Sequence, residues 1–172
     1  MMAELRKSIF FSQAKMEMQA HDLKREISTI LDQQIQCVLA TLQDHQPCQH
    51  MMAFAYAEDL SRIFLATYMD TRKYRNMITN PSVSILWDNR SGSTADHVDG
   101  LSLIALGRAE LLTGSAQDEV RELILKRNPA LQALLGDASC KLFMVLIEDY
   151  QWTKGYQRVL HYTPITQPGT FD

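Results

Sequence analysis

Short stretches in which apolar residues alternate with polar ones, or follow one another without a break, recur along the chain and are typical of strands. Tight polar turns separate several of them, which favours antiparallel neighbours. Gly107, in the fifth stretch, indicates a bulge or the close approach of another backbone. Six or seven such strands predict a barrel or a barrel-like sandwich. The predicted strands are Cys37–Leu42, Gln49–Ala57, Arg62–Thr67, Ser82–Trp87, Leu101–Thr113, Lys141–Asp149 and Gln151–His161.

The N-terminal part of the chain has a helical pattern instead. Residues 3–34 lack Pro and Gly and are rich in helix-forming residues, which predicts a helical N-terminal extension. A break is expected at His21-Asp22, with Asp22 capping the second segment. With a loose tail over 162–172, we predict a single domain, residues 1–172, that is mainly β (a β-rich α+β fold) with flanking helices.

Two further segments lie between the predicted strands. Ser115–Leu135 is predicted to be helical, divided by Pro129 and ended by Gly136. Asp88–Gly100 is polar and rich in turn-forming residues, and connections of this length are usually functional or mobile.

A short helix between two strands carries an unusual distribution of charge. Thr71–Thr79 has the length of about two helical turns, with Asp70 or Thr71 as its N-cap. Arg72, Lys73 and Arg75 crowd its first turn, where the helix macrodipole is already positive. An anion such as a phosphate, bound at the helix N-terminus, would resolve this conflict. The alternative is that Asp70 caps the helix and the cations point into solvent.

Composition narrows the class of protein. The net charge of the 172 residues is −3, so a general attraction to nucleic acid or to an anionic membrane is not expected. No apolar run approaches the roughly 20 residues needed to span a bilayer, and the N-terminus lacks the pattern of a signal peptide. Cys37, Cys48 and Cys140 are predicted to be free thiols in a reducing compartment. The predicted location is the cytoplasm, with no nucleic-acid or membrane partner.

Motifs of other enzyme classes are absent from the sequence. It has no Gly-x-Ser-x-Gly nucleophile elbow and no phosphate loop of the nucleotide triphosphatases. The five histidines show none of the short spacings of zinc sites, so no metal is predicted. Asp96-His97-x-Asp99 is the one pattern with some likeness to a metal site, and a solvated loop is the favoured interpretation.

Four segments resemble one protein family in the same order along roughly residues 27–160. They are PCQHMMAFAY, FLATYMDTRKYRNMITNP, GRAE at Gly107–Glu110, and QWTKGYQRV. The chain is therefore similar to the FMN-binding split-barrel family, whose best-known member is pyridoxamine 5′-phosphate oxidase. The resemblance implies a six-stranded antiparallel Greek-key split β-barrel.

The same resemblance implies a set of FMN-binding residues. Thr71, Arg72 and Lys73 would hold the phosphate. The groove would be lined by strand residues acting largely through backbone groups, by polar groups that often cross a dimer interface, and by a Trp near the cofactor. The strand residues are His50, Met51, Met52, Ala53, Ala66 and Thr67. The polar groups are those of Asn89, Arg90 and Ser102, and the Trp is Trp152.

Arg158 would lie near the substrate of such an enzyme. The alternatives, without the resemblance, are that Met51–Phe54 is ordinary barrel core, that Trp152 caps the barrel, and that Arg158 is a solvated cation. The oxidase's substrate-phosphate segment has no counterpart in Thr113–Cys140. The resemblance therefore implies FMN binding without implying the vitamin substrate.

The predicted function is that of an FMN-dependent oxidoreductase or flavin reductase, with a small-molecule substrate or electron donor. Two alternatives stay open: a flavin carrier or sensor without turnover, and a haem-handling member of the same fold. His161 would be the haem ligand in the second case. A homodimer with FMN at its interface is the predicted assembly, because a split barrel leaves one side of the groove open.

Overall fold

The structure is a computed structural model, and it describes residues 21–155 and 158–165. The predicted helix before residue 21 and the tail after residue 165 lie outside the described residues. Strands are the commonest secondary structure of the described chain. The strands are β1 (Gln36–Gln43), β2 (Gln46–Tyr56), β3 (Arg62–Tyr68), β4 (Ser82–Asp88), β5 (Leu101–Leu111), β6 (Cys140–Lys154) and β7 (Arg158–Tyr162).

The strands form a closed antiparallel barrel. Their order is β3-β2-β1-β4-β5-β6-β7, and a further pairing of β3 with β6 closes a ring of six strands. The chain crosses from β3 to β4, past β2 and β1, which is the wiring of a Greek key. β7 pairs with β6 outside the ring. The prediction of a mainly β, six-stranded split barrel with flanking helices is confirmed.

A predicted break between two strands was wrong. Cys140–Lys154 is a single strand, so the predicted break between Asp149 and Gln151 does not exist, and β7 begins only at Arg158. A bulge in the pairing of β5 with β6, between Leu106 and Gly107, lets one long strand bend and change partners. A Cβ at Gly107 would lie 2.2 Å from the carbonyl oxygen of Leu146, so the predicted close backbone approach is confirmed.

In the part of the chain that the structure describes, helices and a 3₁₀ turn flank the barrel. Residue 21 is already helical, so Asp22 lies within α1 and is not its N-cap, in contrast to the prediction. Pro129 divides α4 from α5 as predicted. The helices are α1 (21–33 of the described chain), α2 (Arg72–Thr79), α3 (Asp96–Asp99), α4 (Ala116–Arg127) and α5 (Gln132–Leu135), with the 3₁₀ turn at Pro129–Leu131.

Two hydrophobic clusters hold these elements together. The main cluster fills the barrel, where Ile27 and Leu31 of α1 pack with Phe54, Trp87 and other inward residues of the strands. A second cluster lies outside the barrel, where α4 and α5 cover β3 and its neighbours. In the described part of the chain, no helix is long and apolar enough to cross a membrane.

Candidate functional site

The start of α2 is fixed to the end of β3 by hydroxyl groups. Of the two predicted N-caps, Thr71 is the one found: its hydroxyl oxygen accepts a hydrogen bond from the Tyr74 backbone N–H at 3.4 Å. The same hydroxyl donates to the Tyr68 carbonyl at 2.8 Å and lies 3.0 Å from Oγ1 of Thr67. Local capping therefore sets the direction in which the first N–H groups of α2 point.

Among the described residues, no acidic side chain neutralises Arg72 or Lys73 at this helix start. The first turn of α2 holds no acidic residue. Arg72 is exposed and Lys73 half-buried, and neither forms an ion pair with a described residue. Arg75 differs, because its guanidinium donates to the Asp70 carbonyl at 2.6 Å. Two cations and the N-terminal N–H groups of a helix thus converge at one place, which is the composition of an anion site.

Beside the start of α2, strands β2 and β3 separate, and this opening in the barrel wall is the split. β1 pairs with β2 from Gln46 to Ala53, whereas β3 pairs with β2 only from Phe54 to Tyr56. Within the described strands, the range 50–53 is therefore hydrogen-bonded along one edge only. The predicted cofactor residues His50, Met51, Met52 and Ala53 are the residues of this free edge. Their backbone N–H and C=O groups need partners that a ligand can supply.

The side chains along that edge alternate between the two faces of β2. Met52 is buried in the main core and Met51 is 62% exposed on the outer face. On β3, Thr67 reaches the start of α2, but the Ala66 side chain packs in the second hydrophobic cluster, on the opposite face. Any contribution of Ala66 to this groove therefore comes from its backbone.

His50, on the free edge of β2, belongs to a polar network that sequence analysis missed. Its Nε2 is 3.0 Å from Oγ1 of Thr41, and the Asn76 side-chain amide donates to the same oxygen at 2.9 Å. Burial, and then the charges of Lys73 and Arg72, lower the pKa of His50 below its ordinary value. Burial and the field of the two cations therefore both favour the neutral form of His50 over its charged form.

Three other predicted residues, Asn89, Arg90 and Ser102, line a second cavity of about 320 Å³ at the ends of β4, β5 and β6. None of its lining residues belongs to the split beside α2, so within one chain the structure does not bring the two groups together. The full lining is Leu86, Asp88, Asn89, Arg90, Asp96, Gly100, Leu101, Ser102, Thr153 and Gly155.

The loop between β4 and β5, which lines this cavity, is held in place by hydrogen bonds of its own side chains. Asn89 accepts a hydrogen bond from the Leu101 backbone N–H at 2.7 Å, and Arg90 donates to Asp88 at 2.7 Å. The Asp96 carboxylate accepts hydrogen bonds from Ser91 and the neighbouring backbone, which lower its pKa. The described residues contain no group of three or more His, Cys, Asp or Glu side chains that would hold a metal ion.

The last predicted residues lie on β6 and β7. Trp152 is buried in the main core, with 7% of its surface exposed, and its indole N–H has no partner within the described chain. The backbone of Arg158 pairs with Lys154 at the start of β7. His161 is on the outer face, where its Nδ1 is 2.8 Å from a carboxylate oxygen of Asp149.

Comparison with solved structures shows the same fold. A heme-binding protein from Mycobacterium smegmatis is 19% identical, with a TM-score of 0.70, 78% of this chain covered and 55% of that chain. This chain thus spans about half the length of that protein. HutZ, the heme storage protein from Vibrio cholerae, is 19% identical, with a TM-score of 0.64 and coverage of 72% and 89%.

A putative pyridoxamine 5′-phosphate oxidase from Listeria innocua is 21% identical, with a TM-score of 0.59 and coverage of 80% and 98%. A search of the curated proteins found no match. The sequence profile of the family described as pyridoxamine 5′-phosphate oxidase matches residues 23–135. Because that match covers more than half of the chain and the barrel has the same fold, the protein belongs to the pyridoxamine 5′-phosphate oxidase family.

Proposed function

We propose that the protein binds FMN in the split between β2 and the start of α2, and acts as an FMN-dependent oxidoreductase or flavin reductase. The observation that carries the proposal is the convergence of the free β2 edge at 50–53 with the unneutralised cations Arg72 and Lys73. A ligand with a phosphate at one end and polar ring edges at the other matches both features.

The residues present fit such a ligand. Arg72, Lys73 and the N–H groups that follow Thr71 would hold the phosphate by charge-assisted hydrogen bonds. The free edge at 50–53 would orient the ring through backbone groups, without a side chain that must change conformation. Bound FMN would supply hydride and electron transfer, which no described side chain provides.

We further propose a homodimer, because an apolar row crosses the outer face of the sheet. Cross-strand pairing aligns Met51 with Val38, Val38 with Leu86, and Leu86 with Ile104. The side chains of these four residues point outward, and none belongs to either hydrophobic cluster of the described chain. A second copy that packs on this row removes it from water and brings a second protomer to the outer side of the split.

In this dimer, Asn89, Arg90 and Ser102 of one protomer would approach the FMN of the other, and Arg158 would attract an anionic substrate.

We expect sedimentation to show a dimer that Met51→Glu disrupts, because the two introduced carboxylates would repel each other and lose their hydration at a two-fold interface. Gln132→Glu, which adds the same charge at an exposed position of α5 away from the row, is the matched control. A wild-type monomer that binds FMN contradicts the proposal.

The experiment that tests FMN binding compares FMN with riboflavin by isothermal titration. Riboflavin has the same ring but lacks the phosphate, so we expect FMN to bind about 100-fold or more tightly, the equivalent of one or two charge-assisted hydrogen bonds. Equal affinity for both would contradict a phosphate site at α2. Oxidation of reduced nicotinamide by the FMN-loaded protein then separates an enzyme from a flavin carrier or sensor.

A second candidate function, haem handling, is favoured by the geometry of His161. Its Nδ1 bonds to Asp149, which leaves Nε2 as the lone-pair donor on an exposed face, an arrangement common for metal-binding histidines. Two structural neighbours are described as binding or storing heme. A Soret band on titration with haem, lost in His161→Ala and kept in His97→Ala, supports this function. Tight FMN binding without such a band excludes it.

A further inference from the structure

The buried side chains Thr41 and Asn76 have no part in the function proposed above, but their hydrogen bonds have a defined direction. Thr41 is 1% exposed and Asn76 is 5% exposed, so neither relies on bulk water. The Asn76 amide N–H donates to the Thr41 oxygen at 2.9 Å. A hydroxyl oxygen that accepts one hydrogen bond still has its own proton to donate.

The remaining partner of Thr41 in the described chain is Nε2 of His50, at 3.0 Å. If Nε2 carried a proton, Thr41 would accept hydrogen bonds from both neighbours, and its own buried hydroxyl proton would have no acceptor in the described chain. The satisfied arrangement is therefore donation from the Thr41 hydroxyl to a lone pair on Nε2. A neutral imidazole has a single N–H, so in His50 that proton is on Nδ1. The order of donation is Asn76 to Thr41 to His50.

We infer that Thr41 and Asn76 are positioning residues that hold neutral His50 with its proton on Nδ1, so that this N–H donates to the anionic ligand at the start of α2. The ligand part of this inference rests on the proposed FMN site. The tautomer part rests on the network alone.

The position of His50 supports this role. The two ring nitrogens of an imidazole point to opposite sides, so Nδ1 is directed away from buried Thr41. Nδ1 has no hydrogen-bond partner within the described residues, and His50 lies near Lys73 and Arg72. The other tautomer would present a lone pair to the same region and repel an anion. The N–H of neutral His50 would give the anion a further hydrogen bond and, because it carries no charge, would not repel Arg72 and Lys73.

The test begins with the tautomer of the ligand-free full chain, measured by nitrogen NMR of the protein with ¹⁵N-labelled histidine. The chain has five histidines, and the signals missing from His50→Gln identify the residue. We expect the Nδ1 signal of His50 in the protonated range and Nε2 in the unprotonated range. The reverse pattern overturns the inference whether or not FMN binds.

Variants of the network test its direction. Thr41→Ser keeps the hydroxyl and should keep the tautomer, whereas Thr41→Val should lose the fixed tautomer. Asn76→Asp replaces the donor by an acceptor, so the Thr41 proton turns to the carboxylate and His50 should carry its proton on Nε2 instead. An unchanged tautomer in folded Asn76→Asp overturns the network. Because we expect Asn76→Asp to move the His50 proton from Nδ1 to Nε2, this variant tests the inference even if Thr41→Val does not fold.

The ligand part is tested by adding inorganic phosphate or FMN. We expect both to shift the Nδ1–H signal of His50, and Thr41→Val to bind FMN about tenfold more weakly than Thr41→Ser. FMN that binds without shifting this signal overturns the role of His50. If FMN does not bind at all, the proposed function is wrong, and the tautomer measured in the ligand-free protein still decides the other part of the inference.

Discussion

Replacing both Arg72 and Lys73 by alanine is expected to weaken FMN binding by about 3–6 kcal/mol, because charge-assisted hydrogen bonds contribute about 1.5–3 kcal/mol each. The affinity should fall by at least 100-fold in isothermal titration. Riboflavin affinity should be nearly unchanged, since the lost groups act on the phosphate. Neither side chain has an ion pair with a described residue, so the fold should not depend on them.

The stability of this double variant gives a second, independent result. Removing two cations from the positive end of a helix should leave the free energy of unfolding unchanged or raise it by about 1 kcal/mol. Arg75→Ala is the matched control, because that side chain is in the same turn but bonds to the Asp70 carbonyl. It should leave FMN binding nearly intact. A double variant with wild-type FMN affinity would show that Arg72 and Lys73 are ordinary surface charges.

The barrel was largely predictable from the sequence because its strands carry local signals. Alternation along Arg62–Tyr68 and Ser82–Asp88, separated by an Asn-Pro break, identifies two strands and the short helix between them. Gly107 marked the bulge correctly, since only a residue without a Cβ fits against the Leu146 carbonyl. The same periodicity cannot tell where a bent strand changes partners. For that reason β6 was divided wrongly near Tyr150.

The candidate site was predictable only in part. The conflict between the helix dipole and the charges of Arg72 and Lys73 is visible in the sequence, and the first turn of α2 holds no acidic residue that would relieve it. The free edge of β2 is not visible, because it depends on where β3 leaves its partner. Thr41 and Asn76 were missed, since a single polar residue in an apolar strand or a helix gives no signal of its partner 35 positions away.

For Trp152 the sequence left two alternatives, a residue near the flavin and a residue that caps the barrel. The structure places its side chain in the main hydrophobic cluster, with the side chains of Leu103 and Tyr150. Its neighbours Gln151 and Thr153 are half-buried and point to the other face of β6. A role at the cofactor would therefore have to be exerted through the packing of the barrel.

Trp152→Ala is accordingly expected to destabilise the protein by about 3–5 kcal/mol, the usual effect of truncating a buried aromatic side chain to alanine. This is a large share of the roughly 5–15 kcal/mol that stabilises a typical domain. Trp152→Phe is the matched control. It keeps an aromatic ring in the core and removes an indole N–H that has no partner in the described chain, so it should destabilise the protein clearly less than Trp152→Ala does.

Urea unfolding of the three proteins measures the difference, with Trp87 as the fluorescent probe that remains in both variants. Its ring contacts Phe54 edge-on in the same core, with 5.2 Å between the ring centroids, so its emission follows the loss of barrel packing. If Trp152→Ala instead leaves stability within about 0.5 kcal/mol of wild type and changes only the fluorescence of bound FMN, Trp152 acts on the cofactor and the core assignment is wrong.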